Sequence, residues 1–208
     1  MKVILKVCAW FLGVGGLVLL ALYLTVIDFW TVPSDDAALN ASMVPTMAPG
    51  DLVIIAKDSI PDVSELVRCT DPDAPDRYVV GRVIGRNGDP VTIVGDIANS
   101  KQRRSPSPRR CKTPTIAVTT KDGDVRELEC WEESYDGANF QAMRGGSESS
   151  PEVHANAEQG KFYLVSDNRF LHVDSRDYGG IEPRMCRRIY LRLWGASGIT
   201  EPRFEWVF

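Results

Sequence analysis

Apolar positions along the chain fall into two patterns. Residues 7–27 are almost continuously apolar, 21 residues without a formal charge. At 1.5 Å of rise per residue a helix of that length is long enough to cross the hydrocarbon of a bilayer. Beyond it, apolar residues come in short β-branched runs at 52–56, 78–85, 91–94, 116–120, 125–131, 162–165 and 188–194, most bordered by turn residues, and these predict strands. Asn87-Gly88 and the Lys-Asp-Gly-Asp run at 121–124 predict tight turns. The pattern predicts that 91–94 returns as the partner of 78–85. Residues 31–40 read as a polar linker. Residues 58–77 carry Pro61, Pro72 and Pro75 and read as loop or edge strand, and 144–160, rich in Gly, Ser and Glu, read as loop. No amphipathic helix of normal length follows residue 27. The expected fold is all-β: a partly closed barrel, residues 31–208, with an inserted β subdomain at about 99–158, behind one N-terminal transmembrane helix within residues 1–30.

Charge orients that helix. Lys2 and Lys6 precede the apolar run and Asp28 follows it, which puts the N-terminus in the cytoplasm and the bulk of the chain outside. A cleaved signal peptide is the competing reading. Its apolar core is normally about 7–15 residues, and Leu39-Asn40-Ala41 is a poor cleavage site. The expectation is therefore a single-pass protein of the cytoplasmic membrane. The net charge of −4 and a pI near 5.3 argue against nucleic acid as a partner. The five cysteines and two histidines fit no zinc spacing, and no metal or cofactor is expected. Export would permit disulfides, and Cys111 with Cys130, flanking the hairpin signal, is the preferred pair, against free thiols. Residues 101–112 hold six basic residues; they read as a solvated loop, or as a contact for anionic headgroups.

Candidate chemistry begins at Ser42, in the run Ala-Ser-Met-Val-Pro-Thr-Met at 41–47. It reads as a serine on an irregular turn ahead of a strand, and alone it is equally a turn-capping residue. Two further segments change its meaning. Residues 82–89 read Arg-Val-Ile-Gly-Arg-Asn-Gly-Asp, and 166–179 read Ser-Asp-Asn-Arg-Phe-Leu-His-Val-Asp-Ser-Arg-Asp-Tyr-Gly. In order and content the three resemble the conserved boxes of the type I signal peptidases, membrane-anchored serine proteases. The resemblance implies a barrel-like peptidase domain and Ser42 as nucleophile. It also implies an oxyanion hole from the Ser42 backbone N–H and the residue two before it, here Asn40. Arg82, Asp167, Arg169, Ser175 and Arg176 would support the site.

Two positions depart from the family pattern. The general base in most bacterial members is a lysine directly before the Arg of the second box; here that position is Gly81, 39 residues after Ser42. Lys57 and Lys161 match no catalytic position. The family serine that helps orient the lysine is His172 here. An imidazole is a base at neutral pH without deep burial, and Asp174 is placed to fix its tautomer. The expectation is a membrane-bound serine endopeptidase using Ser42, His172 and Asp174 to cut signal peptides from exported preproteins. Its partners would be those peptides and the lipid bilayer. The alternatives are a catalytically inactive homologue that binds or assembles exported proteins, and a narrow processing enzyme with one dedicated substrate. Met43, Ile54, Val80 and Ile84 are plausible pocket walls or core. Phe204, Trp206 and Phe208 are placed either at the membrane interface or against the barrel.

Overall fold

The structure, a computed structural model, describes residues 2–57, 59–101, 108–148, 150–195 and 205–207, excepting the side chains of residues 2–9, 22 and 205. The chain runs α1 (Lys2–Thr25), β1 (Ile27–Thr31), α2 (Ala37–Met43), β2 (Leu52–Ala56), β3 (Leu66–Thr70), β4 (Tyr78–Arg86), β5 (Pro90–Val94), β6 (Ile97–Ser100), β7 (Arg109–Thr119) and β8 (Val125–Tyr135). It continues through β9 (Ala138–Arg144), β10 (Val153–Asn156), β11 (Phe162–Val165), α3 (Ser175–Tyr178), β12 (Cys186–Trp194) and β13 (Glu205–Trp206).

The fold is mostly β, as the patterning predicts, but no closed barrel forms among the described residues. The main sheet is open, in the order β1-β2-β12-β3-β4-β11, with β13 added beside β12. Two three-stranded sheets, β10-β5-β6 and β7-β8-β9, stand apart from it. The turn at Asn87 and Gly88 forms with positive φ at both residues, and Asp89 N–H closes it onto the Arg86 carbonyl. The strands then part: β5 pairs with β6 and β10, while β4 pairs with β3 and β11. Apolar content explains the divergence. Most of β4 is buried along its length, so it needs cover on both faces and sits inside the main sheet. The segment expected as loop or edge contains β3, between β12 and β4; its prolines all fall outside the strand. The 31–40 linker holds most of α2, and 144–160 contains β10.

The β7-β8-β9 sheet lies within the expected insertion, whereas β6 and β10, near its two ends, belong with β5. The Tyr135 hydroxyl donates to the Ile84 carbonyl at 2.8 Å, joining β8 to β4. Cys111 and Cys130 form a disulfide across β7 and β8, the pair preferred from sequence. A second disulfide, Cys69–Cys186, joins β3 to β12. Nothing in the spacing of Cys69 and Cys186 signalled it, because it depends on β3 existing.

The expected transmembrane helix is not supported. No helix among the described residues is long and apolar enough to cross a membrane. The outer face of the main sheet is nevertheless apolar. Phe29, Ile54, Leu191 and Trp206 stand opposite one another across β1, β2, β12 and β13, with Phe29 and Trp206 exposed. Tyr23 of α1 stacks on Phe29. Phe204, Phe208 and residues 102–107 of the basic run lie outside the described residues.

Candidate active site

Ser42 sits in the last turn of α2 rather than on an irregular loop. The helix has seven residues, too few to persist alone, and its ends are tied from outside. At the N-terminus the Asp36 carboxylate accepts from the Leu39 N–H at 3.0 Å, an N-cap. The C-terminal carbonyls have no partner inside a helix, and Asn168 of the third box supplies them. Its side-chain amide donates to Ala41 O at 2.9 Å and its backbone N–H to Ser42 O at 3.1 Å. The other end of that amide accepts from Phe170 and Leu171 N–H. One asparagine thus fastens the serine helix to the loop that carries His172.

Behind the helix lies a buried ionic frame. Arg82 and Asp167 meet side-on, Nε to Oδ1 at 2.8 Å and Nη2 to Oδ2 at 3.1 Å, both essentially without solvent contact. Arg82 also donates to Ser64 O, and Thr46 Oγ1 donates to Asp167. Arg169 donates to Ser166 O and to Glu133 of β8, and Glu133 also accepts from Arg144 at 2.7 Å. The guanidiniums of Arg82 and Arg169 lie over the Phe140 ring. Ser175 Oγ accepts from Leu164 N–H. Sequence reasoning missed Asn168, which stood in the third box unassigned. It also missed Glu133, which no motif marks.

The proposed catalytic groups are only partly brought together. Ser42 is fully buried, and its hydroxyl donates to Leu39 O at 2.8 Å. Asn40 lies two residues before Ser42 on the same helix, and its Oδ1 is buried with no partner. Gly81 packs close against β11. A Cβ there would meet the Val165 carbonyl oxygen at 3.2 Å and Leu164 Cβ at 3.4 Å. Neither alternative lysine approaches the serine: Lys57 donates to Tyr23 O, and Lys161 pairs with Glu158.

His172 occupies the wall of a groove of about 460 Å³ whose lining includes Ala38 and Ala41 of α2, Phe170, and Lys121 and Arg126 from the β7–β8 hairpin. Its Nδ1 lies 2.9 Å from Asp177 Oδ2 and 4.0 Å from Asp174. Asp177 is therefore the nearer carboxylate, and Asp174 the more distant. The Asp174 carboxylate is already used by Arg176 Nε and Nη2, by the Arg176 N–H in capping α3, and by the Ser166 N–H. The His172, Asp174 and Asp177 ligand atoms lie within 4.8 Å of one another, but Asp174's commitments to Arg176 leave it no free electron pair to spare for a cation. Burial alone would raise the Asp177 carboxyl. The hydrogen bond with His172 and that from the Asp174 N–H outweigh burial and hold it below the usual range.

The chain matches the family described as signal peptidase, peptidase S26, over residues 8–186. It belongs to the S26 signal peptidases. These are serine peptidases, and the matched span holds α2, the Arg82–Asp167 frame and the His172 loop. Comparison with curated proteins finds none that matches.

Proposed function

We propose that the chain is a membrane-attached serine endopeptidase that cuts signal peptides from exported preproteins, with Ser42 as nucleophile and His172 as base. The observation that carries this is the groove: Ala38 and Ala41 of α2 line it with His172, Ser42 lies buried beside Ala41, and Asn168 ties the serine helix to the His172 loop. Gly81 stands where the family's lysine is expected, so the imidazole takes over proton transfer. In this reading Ser42 Oγ gives up the Leu39 carbonyl and takes His172 Nε2 as its proton acceptor when substrate binds. Oγ then attacks the scissile carbonyl carbon while its proton passes to Nε2. The intermediate collapses, the C–N bond breaks, and Nε2 gives that proton to the leaving amine. Water attacks the resulting ester, its proton passing through Nε2 back to Ser42 Oγ, and the signal peptide is released.

Attachment at the extracytoplasmic side of the cytoplasmic membrane fits three features. The exposed side chains of α1 are apolar, among them Trp10, Phe11, Leu17 and Leu24. The Phe29–Trp206 face continues that surface, and two disulfides suit an oxidising compartment.

A second reading, a non-cleaving factor that binds exported chains, is favoured by one observation: Ser42 is fully buried with its hydroxyl bonded to the Leu39 carbonyl. The deciding experiment is cleavage of a signal-peptide substrate across pH by wild type, Ser42→Ala and His172→Ala in vesicles. Two dead variants, with wild-type activity rising through about pH 6–7, support the dyad. Peptide binding without turnover in wild type replaces it with the binding role. Failure to float with the vesicles removes the membrane claim.

A further inference from the structure

The aspartate at 177 has no assigned part in the third box, yet it is the residue that touches His172. Its Oδ2 accepts from His172 Nδ1 at 2.9 Å and from the Asp174 backbone N–H at 3.0 Å. The second contact closes the capping box of α3, so the carboxylate is held in place before any substrate arrives. A fixed, ionised acceptor at Nδ1 selects the tautomer that carries its hydrogen there. That leaves the Nε2 lone pair free to take a proton.

We propose that Asp177 is the positioning residue of His172, holding the ring in one orientation and one tautomer in a pair built within one short loop and helix. This rests on the reading of His172 as the base. The Asp177 carboxyl lies below the usual range, so it is ionised when the imidazole titrates. Other charged groups face the ring. Asp174 lies 4.0 Å away, with its charge shared by Arg176. Lys121, Asp122, Asp124 and Arg126 line the opposite wall from the β7–β8 hairpin. Those four carry two charges of each sign, and the short contact at Asp177 is the one that fixes the ring.

The test uses the full chain and reads the ring directly. The only other histidine is His154, so a His154→Gln variant assigns the imidazole signals in an NMR titration. In Asp177→Asn the ring should lose its fixed orientation, and the Nδ1–H tautomer signature should weaken. In the cleavage assay kcat should fall about tenfold, part of the roughly 10²–10⁴ that general base catalysis supplies, while KM stays unchanged. Asp177→Glu should restore part of each. An unchanged tautomer signature and kcat in Asp177→Asn, with His172→Ala inactive, overturns the positioning role and leaves the base assignment standing. If His172→Ala cleaves as wild type does, the proposal falls together with the base.

Discussion

Arg82 and Asp167 make the most demanding side-chain contact in the described molecule, because both charges have left water. Their two parallel hydrogen bonds and the Thr46 and Ser64 contacts satisfy the groups that burial strips of solvent. Removing one partner strands the other charge, which typically costs about 3–5 kcal/mol. Asp167→Asn and Arg82→Met should each lower stability by that order in a urea melt, and the double variant should lose less than the two summed. Additive losses would show that the pair is not coupled. This contact was legible in sequence because both residues stand in recognisable boxes. Asp177 was legible only as an unassigned position. Asp174 stood out instead because it lies two residues on and matches a family aspartate. Past Asp174 the chain turns into α3, and that turn delivers position 177 to the ring. Glu133 could not be found, since its two arginine partners, Arg144 and Arg169, come from separate segments.

At the scale of elements, legibility followed periodicity. β2, β4, β8 and β11 were visible as apolar runs. α2 was not, since seven residues carry almost no period, and its existence depends on the Asp36 cap and on Asn168. β3 was hidden among prolines that flank it. The β7–β8 hairpin was read from its turn, and its disulfide gives a prediction at the same scale. Cys111 and Cys130 are 19 residues apart, a loop whose closure typically contributes about 3 kcal/mol through the unfolded chain. Cys111→Ser/Cys130→Ser should therefore loosen β7, β8 and β9 first. Hydrogen exchange should rise there ahead of β4 and β11, and Glu133 should hold Arg169 less firmly. Uniform loss of protection would mean that this sheet has no stability of its own to lose.

Across the whole molecule, the all-β class was legible and the topology was not, because a turn signal at Asn87 and Gly88 fixes a local reversal and not which strands pair afterwards. Burial decides that, and burial also governs how the protein as a whole responds to alkali. Tyr178, at the end of α3, packs against the main core. Its hydroxyl is pushed well above the ordinary tyrosine value, first by burial and then by the carboxylates of Asp174, Asp71 and Asp177. Tyr163 of β11 is raised in the same direction, again mainly by burial. In the unfolded chain both phenols ionise near pH 10. A group whose folded pKa is raised contributes stability that is complete below the unfolded value and is lost as pH climbs above it. The protein should accordingly weaken from about pH 10 upward, by roughly 1 kcal/mol per unit for Tyr178 alone while it stays neutral in the fold. Lysines titrate in the same window, so the decisive quantity is a difference. Urea melts at pH 8 and pH 11 should show a smaller pH-dependent loss for Tyr178→Phe than for wild type. An equal loss in both would place the alkaline weakness elsewhere and leave Tyr178 as a packing residue only.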